Sequence, residues 1–380
     1  MVYAGGEASS FDRAAVLLKQ LSGNEVSAKT IERVTMAVGN ELTELRDAEG
    51  DNLPMCPTVE MPPELAVVQC DGGRVQTRSE DCGAGVHEQQ WRETKNAGLW
   101  RMTHQTFDQD PQSELPATFG DPQKVAKLAG KEPLSLSAVP QEAVLDNASC
   151  SADWRPQRIA RTCLSSMVDS REFGRQMERE AHRRHFFEAA ARAFLGDGLA
   201  WNWSIQQTHF PDFIPILDFI HPLEYLYTAA AVLTRDAQQI WECYLAMAQA
   251  CWQGRVDEVT SALRKWLADE GVDVEHPLAE DDPREPVAAA LRYLTNNCER
   301  MDYPRYRRLG LPVTSALMES LVKEVNYRVK GTEKFWNDPS GAEAILQVRA
   351  AALCDDDRLA RYLARRPGCF YYRRSTAAAL

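Results

Sequence analysis

The sequence lacks features that mark membrane, secreted and zinc-binding proteins. Its 380 residues contain no run of 18 apolar residues, so we expect no membrane span. The first residues, MVYAGGEASSFDRAA, have neither a basic region nor an apolar core, so we expect no signal peptide. The ten cysteines form no CxxC pair and have no histidine at zinc-ligand spacing. They are typical of reduced, mostly buried thiols in a cytoplasmic protein.

Positive charge is also scarce overall. The net charge of -12 by itself argues against a nucleic-acid partner, because affinity for phosphates depends on Lys and Arg. Cations are nevertheless concentrated in residues 300–334 and 361–374, whereas acids cluster in residues 47–51 and 279–286. Two interpretations stay open: a local basic strip on an acidic body, or an ordinary solvated charge pattern.

The hydrophobic fraction of 44% and the charged fraction of 26% are typical of a globular protein, and the length allows two or three domains. Apolar runs of strand length alternate with helical patterns, which predicts an α/β fold. Five strands are predicted: one in ELAVVQCDGG that ends at Asp71, one at residues 97–103, RIARTCLSSMV, one in ARAFLGDG that ends at Asp197, and PDFIPILDFIH with Asp218 and His221 at its end. Ser170 is the predicted cap of an intervening helix.

Four regions follow from these patterns. Residues 1–60 contain two predicted helices, separated at Gly23 with Ser27 as N-cap, and a Pro-rich linker. The two helices fit a helix-turn-helix that reads DNA, but any small helical hairpin has the same pattern. Residues 61–222 form the first part of the α/β core, 223–304 an all-helical insertion, and 305–380 the last part of the core with a basic tail.

Residues 311–336 place an acid among cations on one predicted helix face. Glu319, Lys323, Asn326 and Lys330 fall at i, i+4, i+7 and i+11. A carboxylate followed by cations suits a site where a divalent metal and a phosphate backbone meet. The alternative is a solvated face with ordinary Glu-Lys pairing.

Three carboxylates, those of Asp71, Asp197 and Glu319, form the candidate catalytic cluster. Both aspartates follow apolar runs and precede glycine, as at the ligand-binding ends of strands, although Asp-Gly is also a common hairpin turn. Together the three acids suit Mg²⁺ ions that cleave a phosphodiester. Asp218 and His221, three residues apart, fit either a buried corner pair or a phosphate-orienting pair.

Several long sequence blocks resemble one protein family. GLPVTSALMESLVKEVNYRVKGTEKFW followed by GAEAILQVRAA, and upstream AVVQCDGGRVQTR, GDGLAWNW and HFPDFIPILDFIHPLEYLY, resemble bacterial insertion-sequence transposases of the DDE class. The similarity is to the ISKra-type branch related to Mutator-like elements, and it covers residues 15–367. The chain departs from the family at Thr314, Ser315 and Ala316, where members often have a Gly-Ser-Gly-like turn.

The resemblance implies an RNase H-like core interrupted by an all-helical insertion. It implies that Asp71, Asp197 and Glu319 are the metal-binding catalytic acids, and that Asp218 and His221 match the C/D-x-x-H motif that follows the second acid. Asp218 also ends a strand, so it is the alternative for the second acid. The cofactor would be Mg²⁺, with Mn²⁺ able to substitute. The predicted DNA-binding residues are Lys323, Asn326, Arg328, Lys330, Lys334, Arg307 and Arg308.

The leading hypothesis is thus a transposase that cuts transposon ends and joins their 3′-hydroxyls to target DNA. It would act as a homo-oligomer on double-stranded DNA, in the cytoplasm and at the nucleoid. Two alternatives stay open: a truncated or catalytically silent DNA-binding protein derived from a transposase, and an RNase H-like nuclease that cuts without strand transfer.

Overall fold

A five-stranded sheet with helices packed against it organises the protein. The computed structural model describes residues 1–48, 61–78, 90–136, 154–274, 276–331 and 334–366. The strands are β1 (Leu65–Thr77), β2 (Gln90–Met102), β3 (Arg158–Ser166), β4 (Ala191–Gly196) and β5 (Ile214–Leu217). This mixed arrangement of sheet and helices confirms the predicted α/β class.

The sheet has the strand order β3-β2-β1-β4-β5. β1, β2 and β3 are antiparallel neighbours, whereas β4 and β5 run parallel to β1. Residues 65–70 of β1 are all buried, because helices cover both faces of a central strand and favour a continuous apolar run. The carboxyl ends of β1's apolar run, β4 and β5 therefore meet at one edge of the sheet.

Fourteen helices are described, most of them on the two faces of the sheet or in one segment beyond it. The N-terminal helices are α1 (Val2–Glu7), α2 (Phe11–Ser22) and α3 (Ala28–Asp47). Those between strands are α4 (Pro122–Leu128), α5 (Ser170–Arg183) and α6 (Ala200–His209). After β5 come α7 (Ile220–Leu233), α8 (Ala237–Trp252), α9 (Val256–Asp269), α10 (Glu285–Asn297), α11 (Tyr303–Arg308), α12 (Ala316–Val329), α13 (Pro339–Ala352) and α14 (Arg358–Arg365).

The end of α2 and the start of α3 lie where the sequence predicts, whereas α1 was not predicted. Gly23 takes a left-handed conformation, φ 70°, after α2, and the Ser27 side chain accepts a hydrogen bond from the Thr30 N–H at the start of α3. α3 packs closely on α13, because a Cβ at Gly39 would lie 2.3 Å from the Ala344 carbonyl oxygen. One face of α3 is thus used for packing. Residues 49–60, which include most of the predicted linker, lie outside the described residues.

Three local predictions are wrong in detail. β1 continues past Asp71 to Thr77, because Asp71, Gly72 and Gly73 pair with the antiparallel partner β2 instead of turning. β2 correspondingly begins at Gln90, earlier than predicted. The N-cap of α5 is Asp169, whose carboxylate accepts from the Glu172 N–H, and not Ser170.

Helices α7 to α11 form one continuous segment between β5 and α12. Its aromatic side chains pack internally, and Trp241 and Trp252 are buried. The two ends of the segment adjoin: the Phe219 N–H donates to the Val313 carbonyl over 3.0 Å, and the Ser315 N–H donates to Asp218 Oδ1 over 2.9 Å. The domain boundaries at residues 60, 222 and 304 stay predictions.

The described cysteines and helices relate to the expected reduced thiols and to the expected absence of a membrane span. Cys70, Cys163, Cys243, Cys251, Cys298 and Cys354 are free thiols; the remaining four cysteines lie outside the described ranges. Among the described helices, none combines the length and the hydropathy that crossing a bilayer requires.

Candidate active site

A pocket of about 280 Å³ lies at the carboxyl ends of β1's apolar run and β4, beside α12. Asp71 comes from β1, Asp197 follows β4, His221 lies at the start of α7, and Glu319 lies in the first turn of α12. Four of the five predicted catalytic residues therefore line one pocket, although they are separated by up to 248 positions in the chain.

Asp71 lies within β1, directly opposite Asn96 of β2. Burial and the neighbouring charge of Asp197 raise the pKa of Asp71 to about 6, and Glu319 adds to this shift. The Gly72 N–H and His221 act in the opposite direction. The shift shows that negative charge accumulates in the pocket.

Asp197 is fixed by the turn that leads from β4 into α6. Its Oδ1 accepts hydrogen bonds from the Leu199 N–H over 2.9 Å and from the Asn202 side-chain amide. The next residue, Gly198, has φ 97°, and a Cβ there would lie 2.8 Å from the Tyr293 ring. Glycine is required at this position because the backbone is left-handed and closely covered.

Asp218 is buried beneath the pocket wall. Its carboxylate accepts hydrogen bonds from the Ser315 N–H over 2.9 Å and from the Ser315 hydroxyl over 2.6 Å, and His221 Nε2 lies 3.4 Å from Asp218 Oδ2. Burial raises the pKa of Asp218. Asp218 thus joins β5 and the start of α7 to the loop before α12, while Asp197 and His221 line the pocket.

Glu319 lies in the first turn of α12, one turn after Ser315. Its Oε2 lies 3.5 Å from Lys323 Nζ at i+4. Because the side chain is partly exposed, this ion pair is weak and leaves the carboxylate free to contact a ligand.

Carboxylate oxygens are the ligands that Mg²⁺ prefers, and repulsion between Asp71, Asp197 and Glu319 is relieved by a cation. The donor chemistry of the pocket therefore fits Mg²⁺. Within the described ranges, no group of three or more His, Cys, Asp or Glu side chains lies close enough together to hold a metal ion. The carboxylates share a pocket, and binding a common ion requires them to turn toward one another.

The predicted DNA-binding residues include exposed, half-buried and buried side chains. Lys323, Lys330 and Arg308 are exposed, and Asn326 and Lys334 are half-buried. Lys330 lies just beyond the end of α12, in extended conformation, so it departs from the helical face on which it was predicted. Lys323, Lys330 and Arg308 are therefore accessible at the surface.

Two residues of that set, Arg307 and Arg328, are buried, so their prediction as DNA-binding residues is wrong. The Arg307 side chain is 0% exposed; it pairs with Asp110 and its guanidinium lies 4.1 Å from the Trp252 ring centre. Arg328 Nε donates to the Gly5 carbonyl over 2.7 Å, and the guanidinium lies over Phe11. Both cations serve internal packing, so neither is placed to contact DNA.

Three residues of the site were missed by sequence reasoning. Asn202 and Tyr293 support Asp197, the latter by donating its hydroxyl to the Asp197 carbonyl over 2.8 Å. Asn96 Oδ1 accepts from the Ser165 hydroxyl, while its buried Nδ2 has no hydrogen-bond partner among the described residues. The register of β1 and β2 was the missing information, because it alone places Asn96 beside Asp71.

No protein-family model matches the chain, and no curated protein matches it.

Proposed function

We propose that the protein is a DNA transposase of the DDE class, which cuts the ends of an insertion sequence and joins their 3′-hydroxyls to target DNA. The sheet would be the core of an RNase H-like fold, interrupted by α7 to α11. The proposal rests above all on one observation: Asp71, Asp197 and Glu319, from three distant parts of the chain, line a single pocket.

The chemistry needs little more than this pocket. Cleavage adds water across a P–O bond and leaves a 3′-hydroxyl and a 5′-phosphate, and joining exchanges one phosphodiester bond for another. Asp71, Asp197 and Glu319 would hold Mg²⁺ or Mn²⁺, which supplies Lewis-acid stabilisation of charge on the phosphate oxygens. His221, partly exposed in the pocket wall, would donate a hydrogen bond to the scissile phosphate.

The partner would be double-stranded DNA, met by Lys323, Lys330 and Arg308 outside the pocket. Acting on two ends at once requires a homo-oligomer on DNA, and the protein would work in the cytoplasm, at the nucleoid.

The test uses labelled DNA that carries the ends of the genetic element encoding the chain. Purified protein is incubated with this DNA and Mg²⁺ or Mn²⁺, and nicked and joined products are measured. Asp71→Asn should abolish both products while DNA binding is retained. The matched control is Asp212→Asn, because Asp212 is exposed near the amino end of β5, away from the pocket.

Each remaining outcome assigns a different function. Nicking without joining would favour a nuclease with the same core. Binding with neither product, even in Mn²⁺, would favour a catalytically silent DNA-binding protein. Nicking that persists in Asp71→Asn would contradict the assignment of the pocket.

A further inference from the structure

Exposed aromatic side chains gather at one place beyond the pocket. Four aromatic residues are among the large hydrophobic side chains that are exposed in the described part of the chain, and three of them lie on neighbouring segments: Trp91, Tyr327 and Phe335 are 43%, 58% and 38% exposed. We call these three, with Lys330 and Lys334, the aromatic patch. Scattered exposed apolar residues need no explanation, but a cluster of large rings does.

The backbone holds the aromatic patch together. Trp91 of β2 lies opposite Gln76 of β1. The Trp336 N–H donates to the Gln76 carbonyl, and the Arg78 N–H donates to the Trp336 carbonyl, each over 3.0 Å. The segment that carries Phe335 is therefore fixed beside the end of β1, and Tyr327 precedes it in the last turns of α12.

Both lysines of the patch lie near ring faces. Lys330 Nζ is 5.7 Å from the Trp91 ring centre, and Lys334 Nζ is 5.9 Å from that of Tyr327. The exposed Arg74 and Arg78 lie on the same end of β1. Flat rings interspersed with cations match the two parts of an unpaired nucleic-acid strand, because bases stack on the rings and phosphates pair with the cations.

The patch is also connected to the pocket. Glu319, Lys323 and Tyr327 follow one another at i, i+4 and i+8, so they share a face of α12. Tyr327 lies about 12 Å beyond Glu319 at helical rise, and Gln76 lies about 17 Å beyond Asp71 at strand rise. At the rise of one strand of a duplex, about 3.4 Å per nucleotide, these spans hold about five nucleotides at most, and an extended strand would place fewer in them.

We propose that the aromatic patch binds single-stranded DNA by stacking its unpaired bases, within about five nucleotides of the phosphodiester that the pocket cleaves. The binding mode rests on the patch itself, whereas its relation to a cleaved bond rests on the proposed function. The patch would thus hold a strand that has separated from its complement next to the pocket.

The test is binding of a fluorescein-labelled, mixed-sequence single strand of about 12 nucleotides and of the matching duplex, measured by anisotropy with a chelator present. Trp91→Ala and Tyr327→Ala should each weaken single-strand binding about 5- to 150-fold, the range expected for loss of one stacked base. Duplex affinity should change by less than about twofold. Tyr3→Ala is the control, since Tyr3 is an exposed aromatic residue on α1, outside the patch.

Trp91→Leu provides a second variant that keeps apolar bulk and removes most of the stacking surface, and it should weaken single-strand binding as Trp91→Ala does. Unchanged single-strand affinity in folded Trp91→Leu and Tyr327→Ala would overturn the inference. Loss of self-association with unchanged single-strand affinity would overturn it too and assign the patch to an interface between copies.

The inference and the proposed function fail separately. If element ends are cleaved but single-strand binding does not depend on the patch, the inference alone is wrong. If single-strand binding depends on the patch but no DNA is cleaved, the stacking surface stands and the transposase proposal fails.

Discussion

At the scale of single residues, Asp71 combines a proposed chemical role with an unfavourable electrostatic position. Burial and Asp197 raise its pKa to about 6 from the 3.8 of an ordinary aspartate. The folded state therefore binds a proton more tightly than the unfolded state, so stability is lost as the pH rises from about 4 through about 6. The ionised carboxylate is destabilising at neutral pH.

Asp71→Asn should therefore stabilise the protein at pH 8, by about 1–3 kcal/mol, since two pKa units correspond to about 2.7 kcal/mol and the side chain is partly exposed. The gain should vanish near pH 4. Urea unfolding with a chelator present measures it, and Asp212→Asn should show no such dependence. Equal or lower stability of Asp71→Asn at pH 8 would contradict this account of the pocket.

Glu180 is the opposite case, a buried acid held by cations. Arg184 Nε and Arg358 Nη2 lie 2.9 Å and 2.6 Å from Glu180 Oε1. Burial acts to raise the pKa of Glu180, but the two guanidiniums outweigh it and lower the pKa. The resulting stability is present above about pH 4.5 and is lost as the pH falls through the lower, folded-state pKa.

Glu180→Gln should destabilise the protein by about 3–5 kcal/mol at neutral pH, because it leaves two buried guanidiniums without their shared carboxylate. Denaturant unfolding at pH 7 measures the loss. The control is Glu188→Gln, an exposed acid of the following turn, which should change stability by less than about 0.5 kcal/mol. Asp356 also pairs with both Arg184 and Arg358, so a loss no larger than the control's would show that Asp356 alone satisfies both arginines.

The position of a site residue could be predicted where its sequence neighbours indicate the local structure around it. Asp197 follows an apolar strand and precedes a glycine, and the structure places it at that turn. Arg307 and Arg328 were misassigned, because a cluster of cations in sequence does not reveal which ones face Asp110, Trp252 or the Gly5 carbonyl. Whether a charged side chain is buried depends on packing between distant parts of the chain, and the local sequence pattern carries no information about that packing.

At the scale of secondary-structure elements, the contact between α3 and α13 depends on one small residue. Gly39 lets the helices approach so closely that an added Cβ would meet Ala344 backbone atoms at 2.3 Å and 2.6 Å. Since backbone atoms cannot move aside without shifting a whole helix, the fit depends on the absence of a side chain.

Gly39→Ala should therefore destabilise the protein by about 1–3 kcal/mol through overpacking, although alanine favours a helix over glycine by about 1 kcal/mol. Thermal unfolding is the measurement. Asn40→Ala, an exposed change on the same helix, should be neutral or slightly stabilising. If Gly39→Ala matched or exceeded the native stability, the close approach of the helices would be wrong.

The elements themselves were largely predictable, since five apolar runs gave five strands and the capping residues Gly23 and Ser27 act as predicted. The length of β1 was not, because Asp-Gly-Gly signals a turn locally. Pairing with residues 94–96 of β2 keeps the chain extended. Tertiary hydrogen bonding overrode the local preference of glycine for turns.

At the scale of the whole molecule, an acidic protein with a net charge of -12 would have to bind DNA through a local set of cations. Such binding should be highly sensitive to salt, because each phosphate contact releases counterions and the body of the protein repels the duplex.

Lys323→Ala and Lys330→Ala should each reduce the slope of log affinity against log salt by about 0.9 on duplex DNA. Lys265→Ala, an exposed change on α9, should leave the slope unchanged. The slopes are obtained by measuring the duplex affinity of each variant across a series of salt concentrations. Equal slopes in all three variants would place the duplex on another surface.

The adjoining ends of the α7 to α11 segment have a consequence for how the chain can vary. The Phe219 N–H donates a hydrogen bond to the Val313 carbonyl, and the Asp218 carboxylate accepts two hydrogen bonds from Ser315, one turn before Glu319. These hydrogen bonds hold the first and last residues of the segment together. Residues added or removed within the segment therefore change the length of a closed loop without moving its two ends. Evolution or engineering can lengthen or shorten this segment away from His221 and Tyr293, which contribute to the pocket, while the geometry that positions Glu319 stays the same.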